Sequence, residues 1–175
     1  MSVLPLLACV DVDYRGERAV AAAILFLDWG AAQPVSELVV PIAAVAPYRP
    51  GAFYERELPC VLAVLRRSSW PLAAVVVDGY VWLDGGKPGL GAHLHAALGG
   101  ATPVIGVAKT QYRGAPAVEV LRGDSQRPLY VSAAGVDAAR AAEDVRRMHG
   151  PHRQPTLLRL VDRLCRGSDG VWPGG

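Results

Sequence analysis

The stretch LPLLACVDVDYRGERAVAAAILFLD, residues 4–28, contains two apolar runs separated by a polar turn. Residues 4–13 and 18–28 are both compatible with β-strands, and the DYRGE segment at 13–17 is typical of a hairpin. A third short strand is expected at 37–45. The chain is therefore predicted to begin with an antiparallel meander.

Helices and strands alternate after the meander. Apolar residues recur at helical spacing over 52–67, and the continuous apolar run at 73–77 is typical of a strand covered on both faces. Further elements are expected at 90–98, 103–108, 116–122, 128–132, 136–148 and 156–166. This order predicts an α/β fold with a mixed central sheet flanked by helices, which is the element order of a ribonuclease H-like domain.

The composition is that of a folded protein. With 175 residues, 51% hydrophobic and 19% charged, the chain can bury a sizeable core and is not broadly disordered. We expect one domain over 1–167 and a flexible tail at 168–175. Pro, Gly or charge interrupts every apolar stretch before it reaches the length of a membrane span, and the first five residues lack signal-peptide features. A cytoplasmic protein without membrane association is predicted.

Charge and cysteine content exclude little. The net charge of +2 is too small to diagnose nucleic-acid binding. Cys9, Cys60 and Cys165 are odd in number and widely spaced, so they form neither a zinc pattern nor a disulfide framework. This suits a reducing compartment, and nothing in the sequence fixes the oligomeric state.

Asp11, Asp78 and Lys109 each directly follow an apolar run, and Glu57 lies near the start of a predicted helix. In a sheet of this order Asp11 and Asp78 are expected at neighbouring strand ends. Two adjacent aspartates repel each other unless a cation lies between them, and hard oxygen ligands suit Mg²⁺ or Mn²⁺. Glu57 would complete the ligand set, and Lys109 would serve the phosphate or the attacking water. Each acidic residue alone fits an ordinary rim position better than a metal site, but together the four residues predict metal-dependent phosphodiester cleavage.

Short motifs along most of the chain resemble the endonuclease V family, which cleaves nucleic acid near deoxyinosine or inosine. The matching segments are Asp11-Val12, Pro47–Gly51, Arg56-Glu57, Asp78-Gly79, Gly89–Leu94, Pro103–Lys109, Pro128–Ser132, His152–Thr156 and Arg159–Asp162. Each segment is weak alone, but their shared order and spacing are specific. The resemblance implies Asp11, Glu57 and Asp78 as metal-binding carboxylates, Lys109 as the active-site lysine, Mg²⁺ or Mn²⁺ as the cofactor, and DNA or RNA as the partner.

The resemblance also implies a strand-separating wedge at Pro47, Tyr48, Arg49 and Pro50. An aromatic ring on a loop stiffened by proline is well suited to fill the gap left by a displaced base. A core-filling role for Tyr48 is the alternative.

A base pocket is implied at Gly51, Phe53, Gly79, Gly89 and Leu90. Glycines there would let backbone amides approach the edge of the base. The alternative is that these glycines only form turns.

Several positions depart from the family pattern. Asp84 replaces a histidine and is either a further metal ligand or an ordinary loop aspartate; Ala134-Gly135-Val136 lacks a second histidine; and Tyr80 stands where a smaller residue is common. The chain starts almost at the first strand, where the family usually has a helical segment, so a short N-terminus is expected.

These departures motivate a second hypothesis: a nucleic-acid-binding or protein-interaction module with little or no cleavage. The intact set of four charged residues argues against that hypothesis. A third hypothesis, an unrelated ribonuclease H-like nuclease, is disfavoured by the segments at 47–51 and 106–109.

Overall fold

The computed structural model describes residues 3–167, which form a seven-stranded mixed sheet covered by helices on both faces. The strands are β1 (Leu6–Arg15), β2 (Arg18–Phe26), β3 (Ser36–Ile42), β4 (Leu72–Asp78), β5 (Val104–Ala108), β6 (Val118–Val120) and β7 (Leu129–Ala134). The helices are α1 (Phe53–Leu65), α2 (Leu90–Ala97), α3 (Ala138–Arg147) and α4 (Thr156–Gly167). The predicted α/β class is confirmed. The predicted flexible tail at 168–175 lies outside the described residues.

The strand order is β3-β2-β1-β4-β5-β7-β6. β1 pairs antiparallel with β2 and parallel with β4, and β4 pairs parallel with β5. Helices α1 and α2 pack on one face of the sheet, whereas α3 and α4 pack on the other. Because both faces are covered, the central strands consist almost entirely of apolar residues. Within the described residues, no helix is both long enough and apolar enough to cross a membrane.

The predicted site residues meet at the end of the sheet where the central strand β4 stops. Val10 pairs with Val77 in the parallel β1–β4 ladder, so Asp11 and Asp78 follow side by side. The prediction that Asp11 ends its strand is wrong, because β1 continues to Arg15 through its hairpin with β2. Asp11 therefore lies inside a strand at the point where its parallel neighbour stops.

Two predicted strands end earlier than expected. The strand expected at 37–45 ends at Ile42, and the strand expected at 116–122 is only Val118–Val120. The second is short because it lies at the edge of the sheet and pairs only with β7 over three residues.

Gly106 in β5 allows the segment after Asp78 to cross the sheet at close range. A side chain there would collide with the carbonyl oxygen of Gly79 and come within 3.0 Å of Val81 N and Ser132 Oγ. These groups are themselves fixed, because Val81 N–H donates to Ser132 Oγ at 2.9 Å. The glycine therefore sets where Asp78 and Gly79 lie.

Gly106→Ala is expected to lower the free energy of unfolding by about 1–3 kcal/mol, because the added methyl group overpacks a rigid contact. Urea unfolding measures this change. Gly167→Ala is the matched control, because no residue within 3–167 lies within 4 Å of the position where its methyl group would stand. An unfolding free energy equal to that of the unaltered protein would contradict the close approach.

Candidate active site

A small cavity lies where β1, β4 and β5 meet α4. Its polar lining consists of Asp11, Asp78, Lys109, Gln154 and Asp162, and we call it the acidic cavity. Its volume is about 30 Å³, and roughly 10–15 Å³ suffices for one water molecule. The acidic cavity therefore has room for water or a metal ion but not for a nucleobase.

The alternation of side chains along the strands brings the carboxylates together. Val10 and Val77 belong to the buried cluster beneath α1 and α2. Because successive side chains of a strand point to opposite faces, the next residues, Asp11 and Asp78, face α4. Asp162 follows Val161 on α4, whose apolar stripe packs on that same face.

The side chains of Asp11 and Asp162 are hydrogen-bonded to each other. Burial raises the pKa of Asp11 to about 7; a hydrogen bond from Val12 N–H at 2.9 Å opposes this rise, whereas Asp78 and Asp162 add to it. Burial also raises the pKa of Asp162, but its ion pair with Arg166 at 2.8 Å and its hydrogen bond with Asp11 outweigh burial and leave that pKa lowered. The proton that the two carboxyls share therefore favours Asp11 over Asp162.

Lys109 is held beside Asp78. Burial raises the pKa of Asp78, and Lys109, whose Nζ lies 3.7 Å from Asp78 Oδ2, opposes the rise. The two side chains are 43% and 47% exposed, so the ammonium is accessible to a substrate. Arg153 fixes the backbone beneath it by donating to the carbonyl oxygens of Lys109 and Pro128.

Glu57 approaches from the opposite face of the sheet. It lies in α1 and is only 7% exposed. Burial raises the pKa of Glu57 to about 8, and the charges of Asp11 and Asp78 add to the rise. Glu57 is thus electrostatically coupled to the two aspartates without lining the acidic cavity.

The donor set suits a hard cation, although the ligands do not surround one in their present positions. Within residues 3–167, no three Asp, Glu, His or Cys side chains are close enough to enclose a metal ion. Glu57 and Asp162 lie on opposite sides of Asp78. The oxygen donors of the acidic cavity are nevertheless those that Mg²⁺ and Mn²⁺ prefer. Burial raises the pKa of Asp11, and the ion pair with Lys109 only partly offsets the raised pKa of Asp78.

A second, larger cavity adjoins the first and shares Asp78 with it. We call it the aromatic cleft because four of its lining residues are Phe53, Tyr54, Tyr80 and Tyr112. Its volume is about 300 Å³, at the lower end of the range for small-molecule pockets. All five residues predicted for the base pocket line this cleft: Gly51, Phe53, Gly79, Gly89 and Leu90.

The backbone amides of two of these glycines are already used. Gly79 N–H donates to Val107 O at 3.1 Å, and Gly89 N–H donates to Val81 O at 2.9 Å. These two amides therefore already have acceptors within the fold, and the role of the glycines at the edge of a base stays a prediction. Gly79 instead has φ of 118° with open space where a side chain would stand, so it keeps the floor of the cleft clear.

The predicted wedge loop is exposed. Tyr48 is 61% exposed, so the core-filling alternative is wrong. Its ring contacts Phe53 edge-on with centroids 6.4 Å apart, and Arg49 pairs with Glu55 at 3.2 Å. The loop is thus tied to the first turn of α1 beside the aromatic cleft.

Asp84 does not join the other carboxylates. It is exposed in a 3₁₀ turn, lines neither the acidic cavity nor the aromatic cleft, and packs against Gly114. These positions disfavour Asp84 as a metal ligand and support the alternative that it is an ordinary loop aspartate. His93 stacks on Tyr54 with centroids 3.6 Å apart, which agrees with a packing role on α2.

Comparison with known proteins identifies the family. A family model described as Endonuclease V matches residues 2–124. The endonuclease V of Streptomyces coelicolor is 35% identical over 181 residues, which cover 91% of this chain and 77% of the relative. The chain belongs to the endonuclease V family. The endonuclease V of Thermococcus kodakarensis is 30% identical and matches all of this chain and 84% of its own length.

Solved endonuclease V structures share the fold. The enzyme from Streptomyces avermitilis superposes with a TM-score of 0.75 at 30% identity, covering 95% of this chain and 82% of the other. The Ciona intestinalis enzyme, solved with DNA containing an inosine followed by a ribo-adenosine, superposes with a TM-score of 0.77 at 18% identity, covering 93% and 85%. The predicted ribonuclease H-like architecture is thereby confirmed.

Sequence reasoning gave no role to several residues that line these cavities, among them Asp162 and Tyr112. Asp162 fell within a matching endonuclease V segment but was given no role; its position one residue after a buried valine of an amphipathic helix was a usable signal. Tyr112 gave no signal, because a tyrosine in a polar loop predicts no contact with Tyr80.

Proposed function

We propose that this endonuclease V family member is an Mg²⁺- or Mn²⁺-dependent endonuclease. It would hydrolyse a phosphodiester bond near deoxyinosine or inosine in DNA or RNA. The observation that carries this proposal is the position of Asp78, which lines both the acidic cavity and the aromatic cleft. A base in the cleft would place a neighbouring phosphate beside the carboxylates.

The carboxylates and Lys109 would have different roles in this reaction. Asp11, Asp78 and Asp162 would hold the cation, with Glu57 supporting them from the other face. When bound, the cation would activate water and neutralise charge on the phosphate. Lys109, held beside Asp78 with its ammonium accessible, would attract the phosphate as a point charge.

Cleavage assays with matched strands test this proposal. Labelled DNA and RNA, each with and without inosine, are incubated with Mg²⁺, Mn²⁺ or EDTA. We expect metal-dependent cleavage near inosine. Equal cleavage of modified and unmodified strands would refute the base preference alone. Binding without cleavage under every metal condition would instead support the binding-module hypothesis.

Tyr48→Ala is expected to weaken binding to inosine-containing duplexes by about 5- to 100-fold, because the ring no longer fills the gap left by the displaced base. Binding to single strands should weaken less, since no strands need separating. The free energy of unfolding should stay within about 0.5 kcal/mol, because the side chain is exposed. Fluorescence anisotropy with Ca²⁺ in place of Mg²⁺ measures affinity.

Tyr48→Phe is the matched control, since it keeps the ring and should bind nearly as the unaltered protein does. An equal loss of affinity for duplex and single strand in Tyr48→Ala would contradict the wedge role.

A further inference from the structure

Two tyrosines from different segments meet at the aromatic cleft. Tyr80 follows β4, and Tyr112 lies in the loop after β5. The Tyr80 hydroxyl donates to Thr110 O at 2.9 Å and accepts from Tyr112 N–H at 2.9 Å. One hydroxyl thus ties down the backbone on both sides of residue 111.

This tie fixes the ring of Tyr112 at the mouth of the cleft. The two tyrosine rings lie with centroids 6.1 Å apart at 56°, and Tyr112 remains 50% exposed. Asp84 packs against Gly114 behind the same loop. The exposed side chain of Tyr112 is therefore held in position by the loop around it.

A second aromatic wall comes from α1. Phe53 and Tyr54 line the cleft from the first turn of that helix, which packs over β1, whereas Tyr112 comes from the end of β5. Since β4 lies between β1 and β5, Gly79 at its end forms the floor between the two walls. The open space at Gly79 leaves room for a flat group between them.

We propose that Tyr112 stacks on an extruded nucleobase opposite the α1 aromatics, and that Tyr80 is the positioning residue that holds Tyr112 in place. This inference rests on the proposed function of the same site. Stacking engages the face that every base has, so it contributes affinity without identifying the base. The clamp therefore selects unpaired planar bases as a class and leaves the preference for hypoxanthine to contacts at its edge.

The test compares an inosine-containing single strand with the same strand carrying an abasic site at that position. Binding is measured in Ca²⁺, so cleavage is not required. Tyr112→Ala is expected to weaken binding to the inosine strand by about 5- to 100-fold and to leave binding to the abasic strand unchanged. The affinity of Tyr112→Ala for a strand with adenosine in place of inosine should fall by as much as its affinity for the inosine strand.

Variants separate stacking from a structural role. Tyr112→Phe keeps the ring and should bind the inosine strand nearly as the unaltered protein does. Trp70→Ala removes an exposed aromatic residue outside the cleft and should leave binding to both strands unchanged. Tyr80→Phe should weaken inosine binding less than Tyr112→Ala, and the double variant Tyr80→Phe/Tyr112→Ala should lose no more than Tyr112→Ala alone. That non-additivity is expected only if Tyr80 acts through Tyr112.

Four outcomes would overturn the inference. Equal losses for inosine and abasic strands would make Tyr112 structural, and no loss for either would remove it from the site. A loss for inosine but not for adenosine would make it an edge-reading residue. If the unaltered protein itself binds inosine and abasic strands equally, base recognition in the proposed function fails as well, which distinguishes the two failures.

Discussion

Asp78→Asn is expected to lower the rate of cleavage of an inosine-containing strand by about 10³-fold or more. Asp78 lines both the acidic cavity and the aromatic cleft, so its carboxylate lies where the metal-binding and base-binding regions meet. The amide keeps the shape of the side chain but removes the charge that would hold a cation. Lys109 also loses the ion-pair partner that lies 3.7 Å from its ammonium.

Single-turnover kinetics with excess protein measure this rate without interference from product release. Asp84→Asn is the matched control, because Asp84 is exposed and lines neither cavity. That variant should cleave within about twofold of the unaltered rate, because asparagine keeps the shape of the side chain that packs against Gly114. A rate for Asp78→Asn within tenfold of the unaltered protein would reject Asp78 as a metal ligand.

Asp78→Asn should hardly change stability. The Asp78–Lys109 pair is nearly half exposed, and exposed ion pairs contribute about 0–1 kcal/mol. Urea unfolding therefore distinguishes a loss of chemistry from a loss of fold. A large fall in unfolding free energy would mean that the reduced rate cannot be assigned to the site.

Glu57→Gln is expected to make the metal-free protein more stable at high pH while lowering cleavage by about 10²-fold. Burial and the neighbouring aspartates raise the pKa of Glu57 from 4.5 to about 8. The folded state therefore binds this proton more tightly than the unfolded state does. The stabilisation of the folded state by this bound proton is fully present below pH 4.5 and is lost as pH rises to about 8.

The size of the effect follows from the same linkage. At pH 5 the variant and the unaltered protein should have similar unfolding free energies. At pH 9 the variant should be more stable by on the order of 5 kcal/mol, because glutamine has no charge to desolvate. Some pH dependence should remain in the variant, since Asp11 also has a raised pKa.

Urea unfolding in EDTA between pH 5 and pH 9 measures this difference. Glu55→Gln, two residues earlier on α1, is the matched control, because Glu55 is 39% exposed and pairs with Arg49 at the surface. Its pH profile should follow that of the unaltered protein. A Glu57→Gln variant that loses stability with rising pH as steeply as the unaltered protein would contradict the buried, proton-binding state of Glu57.

Local pattern was enough for the order and type of the elements. The apolar runs are long and uninterrupted because the central strands are covered on both faces, and this signal does not depend on distant contacts. Strand ends were harder to predict. Asp11 terminates an apolar run but not its strand, because pairing with β2 continues after pairing with β4 has stopped.

The sequence predicted which residues belong to the candidate site better than it predicted how those residues are arranged. Asp11, Asp78 and Lys109 come together as expected, because parallel neighbouring strands deliver their ends to one edge of the sheet. The assignment of Glu57 to the same metal site as the two aspartates stays a prediction, since Glu57 approaches from the other face. The roles of the wedge loop and of the base-pocket residues also stay predictions, although the structure gathers them beside Asp78.

The sequence by itself determined the α/β fold, the endonuclease V resemblance and the acidic residues on the strands, because hydrophobic pattern and motif order are local properties of a chain. Only the tertiary structure decided which carboxylate faces which. The alternation of side chains along β1 and β4 turns Asp11 and Asp78 toward α4, where Asp162 meets them from more than eighty residues away in sequence. Glu57 is left on the α1 side. The Tyr80 hydroxyl, which donates to Thr110 O and accepts from Tyr112 N–H, holds Tyr112 at the cleft. These contacts depend on how helices pack across a finished sheet, and no local pattern records that packing.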